Sequence, residues 1–276
     1  MTTTLRPTGP ERRTADGARS RSYDICVNGR PVGRVRLTTD ERLGPSAGRV
    51  EALTVQEADR RRGRAAVAAL AAEEVLRGWG CRRIEVSVPA DAGPALNLAA
   101  ALGYTEHGRA MAKELSTSPE LPTGSVARPM GGAEYPAWLE TTRAERVRYW
   151  TDREVPRERA ERMTEAEQAA LLPRGPDTAD TALRVLAHGG TDVGTLWLAL
   201  AGPWTPGGHV LDVVVHRAHR GRGHGRTLML LAERECLTAG VRLLGLNVLA
   251  ANTPALRLYE SLGYRTTVHH LHKPLL

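Results

Sequence analysis

The segment Arg220-Gly221-Arg222-Gly223-His224-Gly225-Arg226 joins an apolar run ending at Val215 to a helical pattern, Arg226 to Thr238. A strand, a glycine loop and a helix in that order form an anion-binding arrangement. Small residues let backbone N–H groups turn inward, and the helix N-terminus adds partial positive charge. Arg220, Arg222 and Arg226 add full charges, so a pyrophosphate is the natural guest. Glycine turns between strand and helix are also often purely structural, and the loop alone leaves both readings open. Inside the preceding strand, Val210 to Val215, sits one carboxylate, Asp212. Strand alternation places it on the face opposite Leu211 and Val213. Burial there would raise its pKa toward that of a working general base, while a substrate-binding or structural carboxylate would look the same. His269-His270-x-His272 puts two imidazoles on one strand face. With no Cys or carboxylate in the pattern, a solvated strand is expected and no metal.

These residues belong to a pattern that occurs twice. A shift of 160 positions aligns 50 to 113 with 210 to 273 without a gap, and 21 of the 64 pairs are identical. Composition alone predicts roughly one in ten. Arg60-x-x-Gly63-x-Ala65 falls on Arg220-x-x-Gly223-x-Gly225, Pro94-Ala95-Leu96 on Pro254-Ala255-Leu256, and Leu102-Gly103-Tyr104 on Leu262-Gly263-Tyr264. Upstream, the hairpin signal Asn28-Gly29 corresponds to Gly189-Gly190, with one extra residue in a turn. Each copy reads as strand, hairpin, strand, glycine loop, helix, strand, helix, strand, which is α/β grammar.

The copies differ in one long stretch. The second carries two helical patterns, Ala133 to Trp150 and Pro156 to Leu172, bounded by Pro156 and Pro173. The first has only the short run Thr8 to Ser22 in that place. The expected organisation is a truncated domain over 1–115, a linker rich in Ser, Thr and Pro over 116–124, and a complete domain over 125–276.

Composition narrows the partners. The chain has 276 residues, 41% hydrophobic, 4% aromatic and no Phe, so Leu, Val and Ala must fill its cores. The net charge of +7 suits anionic partners such as cofactor phosphates or nucleic acid, although the arginines are spread rather than blocked. Cys26, Cys81 and Cys236 are odd in number and far apart, which argues against a disulfide framework. Met1 to Ser22 lacks the apolar centre of a secretory signal, and no run approaches membrane-spanning length. The expectation is a cytoplasmic protein without a membrane partner. Trp150, Trp197 and Trp204 read as packing residues, with Trp150 also able to border a ligand pocket.

Arg220-x-x-Gly223-x-Gly225, followed by Asn252-x-x-Ala255-x-x-Leu258-Tyr259-x-x-Leu262-Gly263-Tyr264, resembles the signature of the GNAT superfamily of N-acetyltransferases. The resemblance covers nearly all of 125–276 and, more weakly, 1–115. It implies two tandem GNAT-like domains, each a mixed, mostly antiparallel central sheet flanked by helices. It implies an acetyl-CoA donor, a primary amine acceptor and no metal. Carried over residue by residue, it implies that Val213 and Val215 pair with the pantetheine arm and that a backbone N–H near Val213 polarises the thioester. It puts the pyrophosphate on Arg220 to Arg226 and gives Asn252 a contact with the arm. Tyr259 becomes the acid that protonates the departing thiolate, with a packing role as the alternative; a helix N-cap is the alternative for Asn252. His209 and Asn247 stand where some relatives carry a catalytic Glu. The first copy has Ala52, Ala92 and Ala99 in place of Asp212, Asn252 and Tyr259, and is expected to be catalytically dead. Two further readings stay open: a transferase taking its acyl group from aminoacyl-tRNA, which the +7 charge would suit, and a non-catalytic CoA-binding module.

Overall fold

A computed structural model describes residues 2–15, 17–201 and 207–275. Trp204 lies outside the described residues. The chain packs as two compact units, which are not the two contiguous halves. One comprises residues 1–108, 153–155 and 268–276; the other comprises 109–152 and 156–267.

The first unit begins with β1 (Thr3–Pro7), β2 (Arg12–Arg13), β3 (Arg19–Val27), β4 (Arg30–Asp40) and β5 (Gly44–Val55). Helix α1 (Arg64–Gly78), β6 (Arg83–Pro89), α2 (Gly93–Ala101) and β7 (Thr105–Glu114) follow, β7 leaving for the second unit after Gly108. Asn28 and Gly29, at φ +47° and +84°, turn the β3–β4 hairpin. These two left-handed residues match the twist of the strands they join. The sheet order is β1-β3-β4-β5-β6, antiparallel except for the parallel pair β5–β6.

The second unit contains β8 (Ser125–Pro129), α3 (Tyr135–Thr151), α4 (Arg157–Leu171), β9 (Thr181–His188), β10 (Thr191–Ala199) and β11 (Gly208–Val215). It continues through α5 (His224–Thr238), β12 (Leu243–Leu249) and α6 (Thr253–Ser261). Its sheet order is β7-β12-β11-β10-β9-β8, with β11–β12 parallel. A core of Leu228, Leu231 and Ala232 from α5, with Leu196, Leu198 and Leu244 from the strands, fills one face. Leu183, Val185 and Trp197 fill the other, beneath α3 and α4.

The last strand, β13 (Arg265–Pro274), decides the unit boundaries. From Val268 to Pro274 it pairs antiparallel with β6 of the first unit, where Leu271 and Leu275 enter the core. Conversely, the end of β7 neighbours β12, and the Leu115 N–H donates to the Arg242 carbonyl. The repeat thus exchanges its final strands. Lys273 pairs with buried Glu73 at 2.8 Å and lies over the Tyr104 ring; Lys113 pairs with buried Glu233 at 2.8 Å and lies over Tyr264. The two triads are related by the 160-residue shift, with the lysines traded. The packed units therefore depart from boundaries at 115 and 125, because a strand's alternating pattern does not name its partner.

The missing helices of the first copy have a visible cause. Register aligns Leu183–Trp197 and Val185–Thr195 of β9–β10 with Ser22–Arg36 and Asp24–Arg34 of β3–β4. The apolar face that α3 and α4 cover is in the first unit a charged lattice. Asp24 bridges Arg6 and Arg34, and Arg36 pairs with Glu51. Such a face is stable in water without a covering layer.

Candidate active site

The glycine loop has the backbone shape an anion cradle needs. Gly221 and Gly223 adopt φ +75° and +86°, and a Cβ at either would meet nothing within 4 Å, so the backbone stands open. Among the described residues the N–H groups of Gly221, Arg222, Gly223, His224 and Gly225 have no backbone acceptor. Three of them, on Gly223, His224 and Gly225, are orphan donors expected of the start of α5 and its cap. Arg220 folds back, its Nε donating to the Val215 carbonyl at 3.1 Å, and locks the loop to the strand. Arg226 donates to Ser261 Oγ at 2.6 Å, while Arg222 is exposed. His224 is buried rather than presented to the loop mouth. Its ring lies 5.1 Å from His188 and 6.3 Å from His219, and burial first, then these neighbours, lowers its pKa. The loop of the first unit repeats the backbone: Arg60 Nε bonds the Val55 carbonyl at 2.9 Å, and Arg61 and Gly63 take φ +57° and +72°. An alanine at position 223 must hold the left-handed conformation at a cost of roughly 1–2 kcal/mol. Gly223→Ala is therefore expected to weaken binding of a pyrophosphate ligand about tenfold, measured by calorimetric titration with CoA.

Beside the loop, the sheet opens. β11 and β12 pair only from Gly208–Leu244 to Val210–Leu246, yet β11 runs on to Val215 and β12 to Leu249. Beyond Val210 the strands splay, leaving a slot with a bare edge of β11 backbone. Val213 and Val215 pack toward the α5 core on one side of that strand, as their alternation requires.

Asp212 is not placed as simple alternation predicts. The β10–β11 register slips between Trp197 and Leu198, so that Trp197 opposes Asp212 and Leu198 opposes Val210. Leu211 is the extra residue of a bulge. It packs against the Trp197 cluster under α3 and α4, and Asp212, the cross-strand partner of Trp197, shares that face. The expectation that Asp212 lies opposite Leu211 is corrected: both point to the α3–α4 side, with Val213 opposite. A bulge re-aims side chains in this way. One carboxylate oxygen of Asp212 is buried without a hydrogen bond, as is the indole N–H of Trp197. Burial raises the Asp212 pKa to about 6 and the negative charge of Glu145 adds to it, while Arg146 and the Val213 N–H pull it down.

Tyr259, on α6, is partly buried, 6.0 Å ring to ring from Tyr264. Burial, and then the Asp212 charge, raises its pKa. Asn252 caps α6: its side-chain oxygen accepts from the Ala255 N–H at 3.3 Å. At the matching position Ala92 offers α2 no such bond. His209 and Asn247 meet at 3.3 Å, the Asn amide facing His Nε2. Burial lowers the His209 pKa.

The residues the sequence reading passed over lie on α3. A cleft of about 330 Å³ runs beneath it, floored by Met130, Trp138, Val185 and Val214 and rimmed by Glu134, Glu145 and Asp192. Trp138 lines this cleft; Trp150 is buried. The signal was there at helical spacing, in Trp138, Thr141, Thr142 and Glu145 on one face. The histidines of β13 differ from a solvated strand. His270 bonds Ser87 Oγ at 3.1 Å, His269 bonds Glu106 at 2.7 Å, and His272 has a buried Nδ1 without a partner. The described residues contain no group of three or more His, Cys, Asp or Glu arranged to hold a metal ion, and no helix is long and apolar enough to cross a membrane.

The Acetyltransferase (GNAT) family matches residues 2–104 and 138–264, and the chain belongs to that family. An uncharacterised N-acetyltransferase of Bacillus subtilis, YycN, is 33% identical over 100 residues, covering 35% of this chain and 64% of that protein. A GCN5-related N-acetyltransferase from Sphaerobacter thermophilus shares the fold over 92% of this chain and 80% of its own, with TM-score 0.58 and 22% identity. One from Kribbella flavida does so over 87% and 86%, with TM-score 0.51 and 16% identity.

Proposed function

We propose that the second unit is an acyl-CoA-dependent N-acyltransferase that moves an acetyl group to a primary amine, and that the first unit performs no chemistry. The observation that carries this reading is the union, around one strand, of an open anion cradle, a splayed strand edge and a buried carboxylate with a raised pKa. The backbone donors of residues 221 to 225, with Arg222, hold the donor's pyrophosphate. The bare edge at Val213 and Val215 pairs with the amides of its pantetheine arm, and Asn252 supports the adjacent turn. A β11 N–H near Val213 faces the thioester oxygen, where negative charge grows as the amine attacks.

Asp212 accepts the proton of the incoming ammonium, directly or through water. The amine nitrogen bonds to the acyl carbon and gives up its second proton to solvent, the carbon–sulfur bond breaks, and Asp212 returns its proton to solvent. Tyr259 donates its hydroxyl proton to the leaving sulfur and regains one from solvent. The products are an amide, a free thiol and one released proton. Burial raises the Tyr259 pKa, but a thiolate leaving into the same dry slot is disfavoured for the same reason, so the transfer stays feasible. Ala52 and Ala99 give the first unit neither group.

The test is thiol release from acetyl-CoA against a panel of primary amines. Tyr259→Phe is expected to lower kcat about a hundredfold with little change in CoA affinity. Unchanged kcat would remove Tyr259 from the chemistry, and no thiol release with any amine would sink the assignment.

A further inference from the structure

The cleft beneath α3 is more acidic than one reacting amine requires. Glu134 and Asp192 stand at one end, sharing Arg128 at 2.8 and 2.7 Å; His216 there bonds the Asp192 carbonyl at 3.2 Å. Glu145 stands at the other, the charge that helps raise the Asp212 pKa, and among the described residues it bonds no cation. The carboxylates of Glu134, Asp192 and Glu145 against the Arg128 guanidinium leave a local balance of about −2. This occurs on a chain whose net charge is +7, so the negative field is local. Eleven residues at 1.5 Å each separate the two poles by about 16 Å along the helix. Between them the lining is largely apolar and includes Trp138.

Thr142 supplies an independent sign of a ligand. It is only 8% exposed, it lines the cleft, and its hydroxyl has no hydrogen-bond partner among the described residues. The oxygen is not one of the buried unpaired atoms, so it stays accessible and can bond a polar group placed in the cleft.

We infer that the acyl acceptor is a linear cationic amine with at least two ammonium groups, of the polyamine class, lying along α3. This rests on the acyltransferase reading. One ammonium sits between Glu134 and Asp192. The reacting nitrogen sits beside Glu145, near Asp212. The methylene chain covers Met130, Val185 and Val214, with cation–π support from Trp138. Thr142 accepts from an inner N–H. A monoamine leaves one acidic pole unmatched.

The experiment uses the full chain, acetyl-CoA, and spermine, putrescine and hexylamine as probes, with thiol release and calorimetric titration as readouts. The kcat/KM for spermine is expected to exceed that for hexylamine by at least roughly tenfold, with putrescine, too short to reach both poles, between them. Glu134→Gln and Glu145→Gln each raise the spermine KM by roughly tenfold, and Thr142→Val raises it by less. Thermal unfolding of each variant checks that it is folded. Equal kcat/KM for spermine and hexylamine, or a spermine KM unmoved by both Glu substitutions, overturns the inference and leaves the acyltransferase standing. Absence of thiol release with every amine overturns the acyltransferase reading instead. Titration then decides the cleft alone: spermine binding that Glu145→Gln weakens supports it, and no binding refutes it.

Discussion

Asp212→Asn is expected to do two opposite things at pH 7: lower kcat/KM by a factor of about 10² to 10⁴ and make the protein more stable. The loss follows from removing the proton acceptor while keeping its shape. The gain follows from linkage. The pKa of Asp212 rises from 3.8 to about 6 on folding, chiefly through burial. Below the lower value both states hold the proton and the group contributes nothing. Between the two the folded state holds it and the unfolded state does not. Above the higher value both are ionised, and the native state carries the whole cost of a buried charge, about 3 kcal/mol for two pKa units. Asn removes that cost, so the variant's advantage in thermal unfolding should be present at pH 7 and shrink as pH falls through 6 toward 4. For the native enzyme, kcat/KM should rise with pH through about 6 as Asp212 ionises. A variant that loses activity and stability together would make Asp212 a structural carboxylate. A pH profile without a limb near 6 would move the base elsewhere.

The second large effect concerns a segment far from the chemistry in sequence. Ending the chain after Thr267 is expected to unfold the first unit, although the deletion lies at the opposite terminus. It removes the β13 ladder on β6 and the Leu275 N–H bond to the Arg82 carbonyl at 2.6 Å. It removes Leu271 and Leu275 from the core, roughly 2 kcal/mol each. It also takes Lys273 from Glu73, whose side chain is 2% exposed. A buried carboxylate stripped of its partner costs about 3–5 kcal/mol. Those losses approach the whole stability of an ordinary domain, about 5–15 kcal/mol. Hydrogen exchange should show lost protection in β3, β4 and β5. Glu73→Gln is the milder form and should give the same pattern in part. Protection lost only within 156–267 would mean that the contiguous halves are the folding units.

Much of the site was legible in local pattern. Gly221 and Gly223 sit where the backbone takes positive φ, and an Arg-rich glycine loop before a helix announces an anion cradle. The bounds of α3 and α4 lie within two residues of the sequence reading, because prolines and apolar period mark them. Asn252 is a helix cap by geometry. Asp212 was legible as a lone carboxylate in an apolar strand, but not its orientation. A bulge depends on the neighbouring strand's register, and the residues of β11 do not record which of them will be extra. The cleft was hidden for a related reason. Glu134, Trp138, Thr142 and Glu145 read as an ordinary helix face until β9, β10 and β11 supply the opposite wall.

By itself the sequence determined that the chain is a duplicated α/β pattern, that one copy keeps the chemistry-bearing residues, and that the other lacks the two helices. All of that lies in residue type and short-range period. Only the tertiary structure decided which strand completes which sheet, where Asp212 points and what faces α3. Each depends on pairing between segments distant in the chain. An alternating strand such as β13 satisfies any compatible edge; the Lys–Glu pair forms in either unit, so the difference lies in the cores, Leu271 filling the first and Met111 of β7 the second.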